Sequence, residues 1–320
     1  MSWLTDGVMQ AVLLITAGIA LGMLVSLVVQ RTVRRRRASV RARLDERIRP
    51  LVLAATVAED DETDALIARV RALGPDERAH VRRTVFGMLR DVTGEAAERL
   101  RAVGDAAGIV PRVLALSEHR SPALRASAAE ALGLLQPPGS LELLCRLAAD
   151  PAPAVRTVAV RALGAYTEPV AVDRVIAALA IGSGVPNNAA ASALLQQGLA
   201  AGDRVRLALD HPDAGVRRGA ARVAGLLQAP GVAERLVGLL EDEEESVRLA
   251  AIRSLERLPV AAAVPALLDA ALADGRDGEA AATTLAAMPP AWTAAALARI
   301  EAEGAPAVRR AAGIARGAVA

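Results

Sequence analysis

The chain has almost no aromatic residues: Trp3, Phe86, Tyr166 and Trp292 are the full set among 320. Proteins that hold nucleobases do so largely by stacking them on aromatic rings, and this chain has few rings to offer. Cysteine is nearly missing as well. Cys145 stands alone, which excludes a disulfide framework and a cysteine-rich metal site. His80, His119 and His211 are the only histidines, far apart in sequence, so no metal is expected. There is no glycine-rich phosphate loop, nucleophile elbow or HExxH pair. No cofactor and no catalytic residue is expected, and the chain does not read as an enzyme. Lysine is absent too: all 38 basic residues are arginine, the bias of a GC-rich genome.

What remains is alanine, leucine and valine. Hydrophobic residues make up 53% of the chain. Alanine and leucine are strong helix formers, and alanine lets helices approach closely. The expected class is all-α.

Residues 7–30 carry no charge between Asp6 and Arg31, a run of 24. A helix of about 20 residues crosses a bilayer, so this run is expected to span one. A cleaved leader has its positive charge before the apolar run; here the order is reversed. Nine arginines, Arg31, Arg34, Arg35, Arg36 and Arg37 among them, fall within 31–49. The positive-inside rule places that side in the cytoplasm, with these arginines against anionic lipid headgroups. Gly18, Gly22 and Ser26 recur every four residues, a small-residue face through which a second membrane helix or a second copy of the chain would pack. Residues 50–320 have a net charge of −4 once the basic run is set aside, so nucleic acid is not an expected partner.

The rest of the chain repeats. Val81-Arg82, Leu124-Arg125, Val155-Arg156, Val216-Arg217, Val247-Arg248 and Val308-Arg309 stand, after a first step of 43, at steps of 31, or of 61 where one repeat has lost the pair. The two gaps place degenerate repeats at Val185 and Gly278. Four residues after each anchor stands Val85, Ala128, Ala159, Ala189, Ala220, Ala251, Ala282 or Ala312. Offsets of 0, 3, 4, 7 and 8 trace one face of a helix, and an apolar helix precedes each. The 43-residue step from 81 to 124 leaves room for an extra helix near 94–104. Six residues before each arginine stands Asp76, His119, Asp150, His211, Asp242 or Glu303; the repeats without arginine have Ala180 and Ala273 there. A polar partner is present where the arginine is.

A helix pair every 31 residues, with stretches such as DPAPAVRTVAVRALGAY (150–166), HPDAGVRRGAARVAGLL (211–227) and DEEESVRLAAIRSLERL (242–258), resembles the HEAT-repeat family in its short bacterial form, well over 108–320 and more loosely over 63–107. The resemblance implies an α-solenoid of about eight helix pairs, with loop acids and helix arginines hydrogen-bonded between neighbouring units. The ladder set would be Asp76, Arg82, His119, Arg125, Asp150, Arg156, His211, Arg217, Asp242, Arg248, Glu303 and Arg309. The expected organisation is a short outer tail (1–6), a membrane helix (7–30), a basic linker (31–62) and the repeats (63–320).

The functional expectation is a scaffold or accessory subunit of the bacterial inner membrane, N-terminus outside and repeats in the cytoplasm. Its protein partner would be an integral-membrane or envelope enzyme such as a glycosyltransferase. The alternatives are a self-associating structural or sensory protein and, through the same resemblance, a HEAT-fold enzyme of bilin-lyase or DNA-glycosylase type.

Overall fold

The computed structural model describes residues 22–24, 26–32, 42–273 and 275–318, without the side chains of residues 60 and 314–318. Among these, every regular element is a helix. None of them is long and apolar enough to cross a membrane. The expected span falls mostly outside the described residues, of which 22–24 and 26–32 are helical.

The chain divides near residue 109 into two compact units. The first holds helix α1 (42–57), α2 (Asp60–Arg71), α3 (Pro75–Met88) and α4 (Glu95–Ala106). Its core is apolar and fully buried: Ile48, Val52, Ala55, Val70, Val81, Val85, Leu100 and Val103. Helix α2 packs on α4, and α3 touches both. Helix α4 occupies the place that the long 43-residue step left open.

The second unit is a run of helix pairs: α5 (Ile109–Ser117) with α6 (Pro122–Leu135), α7 (Ser140–Leu147) with α8 (Pro153–Leu163), α9 (Pro169–Ala177) with α10 (Asn187–Gln197), α11 (Gly202–Ala208) with α12 (Ala214–Leu227), α13 (Val232–Gly238) with α14 (Glu245–Arg257), α15 (Val264–Leu272) with α16 (Arg276–Ala287), and α17 (Pro290–Glu303) with α18 (Pro306–Ala318). The even helices stack in order, each on the one before, and the odd helices form the other layer. Proline opens α6, α8, α9, α17 and α18 at the first turn, where its missing N–H would have no helical acceptor anyway.

The repeating anchors explain the stack. Val155, Val216 and Val247 are fully buried, and so are Ala128, Ala159, Ala220, Ala251 and Ala282 four residues after their anchors. Small residues are required because the even helices nearly touch. A Cβ on Gly133 would lie 2.7 Å from the Cβ of Ala162, and one on Gly225 would lie 2.7 Å from the Cβ of Ser254 and 2.8 Å from its Cα. Both glycines stand nine residues after an anchor, a column the sequence reading passed over. One anchor departs from the pattern: Leu124 is 37% exposed.

Candidate functional site

The loops before α6, α8, α12 and α14 each turn on one side chain. Ala152 N–H donates to Asp150 Oδ1 at 2.8 Å and Glu244 N–H to Asp242 Oδ1 at 3.0 Å. In the same way Ser121 N–H donates to His119 Nδ1 and Asp213 N–H to His211 Nδ1, both at 3.0 Å. Histidine and aspartate exchange here because both accept from a backbone N–H two residues on.

The anchor arginines join these loops. Each reaches back to the backbone carbonyl six residues earlier: Arg125 to His119, Arg156 to Asp150, Arg217 to His211 and Arg248 to Asp242, at 2.7–3.0 Å. Each also reaches forward into the next repeat. Arg125 donates from Nε and Nη2 to Asp150 at 2.6 and 2.8 Å, and Arg217 does the same to Asp242 at 2.7 and 3.0 Å. Arg156 faces the degenerate repeat, which has no acid in register, and takes the Ser183 carbonyl at 2.8 Å. Arg248 faces the other degenerate repeat and finds Asp277, four residues past Ala273, at 2.5 Å. The six-residue spacing therefore marks a side-chain-to-carbonyl bond within one repeat, and the carboxylate partner lies in the repeat that follows.

The two outermost members depart from the expected ladder. Helix α3 begins at Pro75, six residues before Val81, whereas α8 and α14 begin two before their anchors. Asp76 thus lies inside the first helical turn rather than in a loop, and Arg82 donates to the Ala107 carbonyl at 2.8 Å. At the other end α17 runs through Glu303, whose carboxylate accepts from Arg299 in its own helix at 3.0 Å. Arg309 is exposed. In the membrane set, Gly22, Ser26 and Arg31 are helical and exposed, and Gly18, Arg34, Arg35, Arg36 and Arg37 lie outside the described residues.

The ladder is tightly held. Arg217 and Asp242 side chains are 11% and 6% exposed. The Arg125 hydrogen bond holds the Asp150 carboxyl below its ordinary value. For Asp242, burial pushes upward, but the Arg217 and Glu244 hydrogen bonds and the charges of Arg217 and Arg248 outweigh it, and the net direction is down. Cys145 is half-buried, and burial pushes its thiol up despite the neighbouring Arg174. Among the described residues, no three histidine, cysteine or acidic side chains stand close enough to hold a metal.

A different set of arginines faces outward. Arg218 and Arg222 on α12, with Arg253 and Arg257 on α14, line a groove of about 420 Å³ between the two helices. Arg222, Arg253 and Arg257 are exposed and Arg218 is half-buried. Like charges at (i, i+4) cost roughly 0.2–0.5 kcal/mol per pair, and each helix carries one such pair here. The cluster therefore does not serve helix stability. Sequence reasoning attended to the arginine next to each anchor and missed Arg222 and Arg253, each six residues after its anchor and 31 apart. Arg161 on α8 occupies the same position.

Stacked helix pairs joined by loop acceptors and helix arginines define a helical-repeat protein of the solenoid class. The HEAT repeats pattern matches residues 109–195 and 203–287. The chain belongs to the HEAT-repeat family. No curated protein sequence matches it. Among solved structures it is similar to the Escherichia coli protein YibA, with 18% identity over 81% of this chain and 97% of the other at a TM-score of 0.42. It is also similar to the CpcE–CpcF complex of phycocyanin lyase from Nostoc, with 21% identity over 77% and 94% at a TM-score of 0.33. Human deoxyhypusine hydroxylase is 20% identical over 84% of this chain and 98% of its own, at a TM-score of 0.31.

Proposed function

We propose that this chain is a non-catalytic protein-binding scaffold or accessory subunit, tethered to the cytoplasmic face of a bacterial inner membrane. The observation that carries the reading is the outward face of the even helices. Buried arginines hold the repeats together, while exposed arginines on α12 and α14 stand without a carboxylate in the groove they line. Repeat solenoids present extended surfaces of this kind, each unit contacting its neighbours. The tether is read from the sequence: the uncharged run 7–30 has spanning length, and the arginines of 31–49 set the orientation. A partner that is itself an integral-membrane or envelope enzyme, such as a glycosyltransferase, would engage the repeats and lie beside the anchor.

Affinity purification of the full chain from detergent-solubilised membranes tests this. One membrane protein in fixed stoichiometry, retained through gel filtration, is the expected result. A full chain that elutes alone from membranes of its own host overturns the reading.

A further inference from the structure

The α12–α14 groove has a composition that names its ligand class. Four guanidinium groups converge on it, from Arg218 and Arg222 on one wall and Arg253 and Arg257 on the other. No acidic residue lines it, and among the described residues no ion pair reaches any of the four. Some exposed arginines elsewhere are paired, Arg47 with Glu77, Arg204 with Asp173 and Arg299 with Glu303; what distinguishes the groove is that four arginines line it together. Arg257 Nη1 donates to the Arg253 carbonyl at 3.3 Å, and the residue is exposed. Two leucines, Leu226 at 50% exposure and Leu249, stand among the charges.

We propose that this groove binds an acidic peptide segment of a protein partner, with Asp or Glu side chains on the four arginines and an apolar side chain against Leu226 and Leu249. Arginine forks match carboxylates in bidentate geometry. The apolar pair argues for a peptide, which carries carboxylates and hydrocarbon at side-chain spacing. Nucleic acid is disfavoured because the groove has no aromatic ring for base stacking and because residues 50–320 are net negative. A lipid surface is disfavoured because a planar array of headgroups does not reach the leucines within a groove between two helices. The inference rests on the scaffold reading and narrows it to one site and one chemistry.

The probe is a random peptide library displayed on phage and selected on the full chain in detergent micelles. Enriched peptides are expected to carry several Asp or Glu residues around an apolar one. A synthetic peptide of the consensus should bind at least about tenfold more weakly to R222E/R253E and lose affinity steeply with salt. R161E, on α8 and outside the groove, should leave binding unchanged. Both groove side chains are exposed, so the thermal midpoint should hold; if the double reversal does not fold, R222Q/R253Q is read instead. The proposal is overturned if no peptide is enriched, if the enriched set lacks acidic residues, or if the variants bind it equally. It is also overturned if single-stranded DNA or phosphatidylglycerol vesicles bind through these arginines while acidic peptides do not. A membrane partner that co-purifies equally with R222E/R253E would spare the scaffold and remove the groove; loss of every partner from the unaltered chain would remove the scaffold itself.

Discussion

Arg217 on α12 holds Asp242 of the following repeat by two parallel hydrogen bonds, Nε to Oδ2 at 2.7 Å and Nη2 to Oδ1 at 3.0 Å, with both side chains almost wholly buried. Removing the carboxylate would strand a buried guanidinium. Asp242→Ala should therefore destabilise the protein by roughly 2 kcal/mol, the scale for an unsatisfied, charge-assisted partner. Urea unfolding of the variant beside the unaltered chain measures it. Glu243→Ala, which removes an 84%-exposed carboxylate 3.4 Å from the same arginine, should change little.

The same carboxylates make the fold acid-sensitive. Asp150 and Asp242 both titrate below their ordinary value in the folded protein. A depressed folded value adds stability that is complete above the unfolded aspartate value, about 3.9, and is lost as pH falls through the folded one. Urea midpoints should hold from neutral pH down to about pH 5 and then fall below about pH 4. In Asp150→Asn with Asp242→Asn the acid-dependent part of that fall should be smaller.

Two glycines should answer opposite ways to alanine. Gly87 in α3 has nothing within 4 Å of where a Cβ would stand, so Gly87→Ala should gain up to about 1 kcal/mol of helix propensity. Gly225 in α12 faces the Ser254 side chain and backbone at 2.7–2.9 Å. Overpacking of this kind costs about 1–3 kcal/mol, more than the propensity gain, so Gly225→Ala should lower the thermal midpoint.

The proposed tether is checked by extraction. The full chain should stay in the membrane pellet through alkaline carbonate and leave it only with detergent. A chain released by carbonate or high salt would be held by charge alone.

Much of the second unit was legible because its packing is periodic. Val155, Val216 and Val247 announce the stacking face, and the alanines four residues later mark how close the helices come. The ladder was legible as a coincidence of types but not as a geometry. A bond between neighbouring units was expected, but its register was not: six residues before Arg217 stands His211, whose carbonyl accepts from the guanidinium, and the carboxylate is 25 residues on. Asp277 stayed hidden because it stands four residues out of register. A further set was beyond reach: the Tyr166 hydroxyl, the Gln197 amide, Ser254 and Thr284 each donate to a carbonyl 32 to 34 residues earlier. Four residue types at shifting offsets leave no column to read. The groove arginines were visible in the letters; their isolation from acids needed the neighbouring helix.

The forward reach of the ladder also gives the chain an order in time. A ribosome delivers residues from the N-terminus, so Arg217 leaves it well before Asp242, 25 positions behind. Until that stretch follows, the last repeat to emerge holds a cation with no counterpart. The α11–α12 pair is in this way closed by its successor, as the α5–α6 and α13–α14 pairs are by theirs.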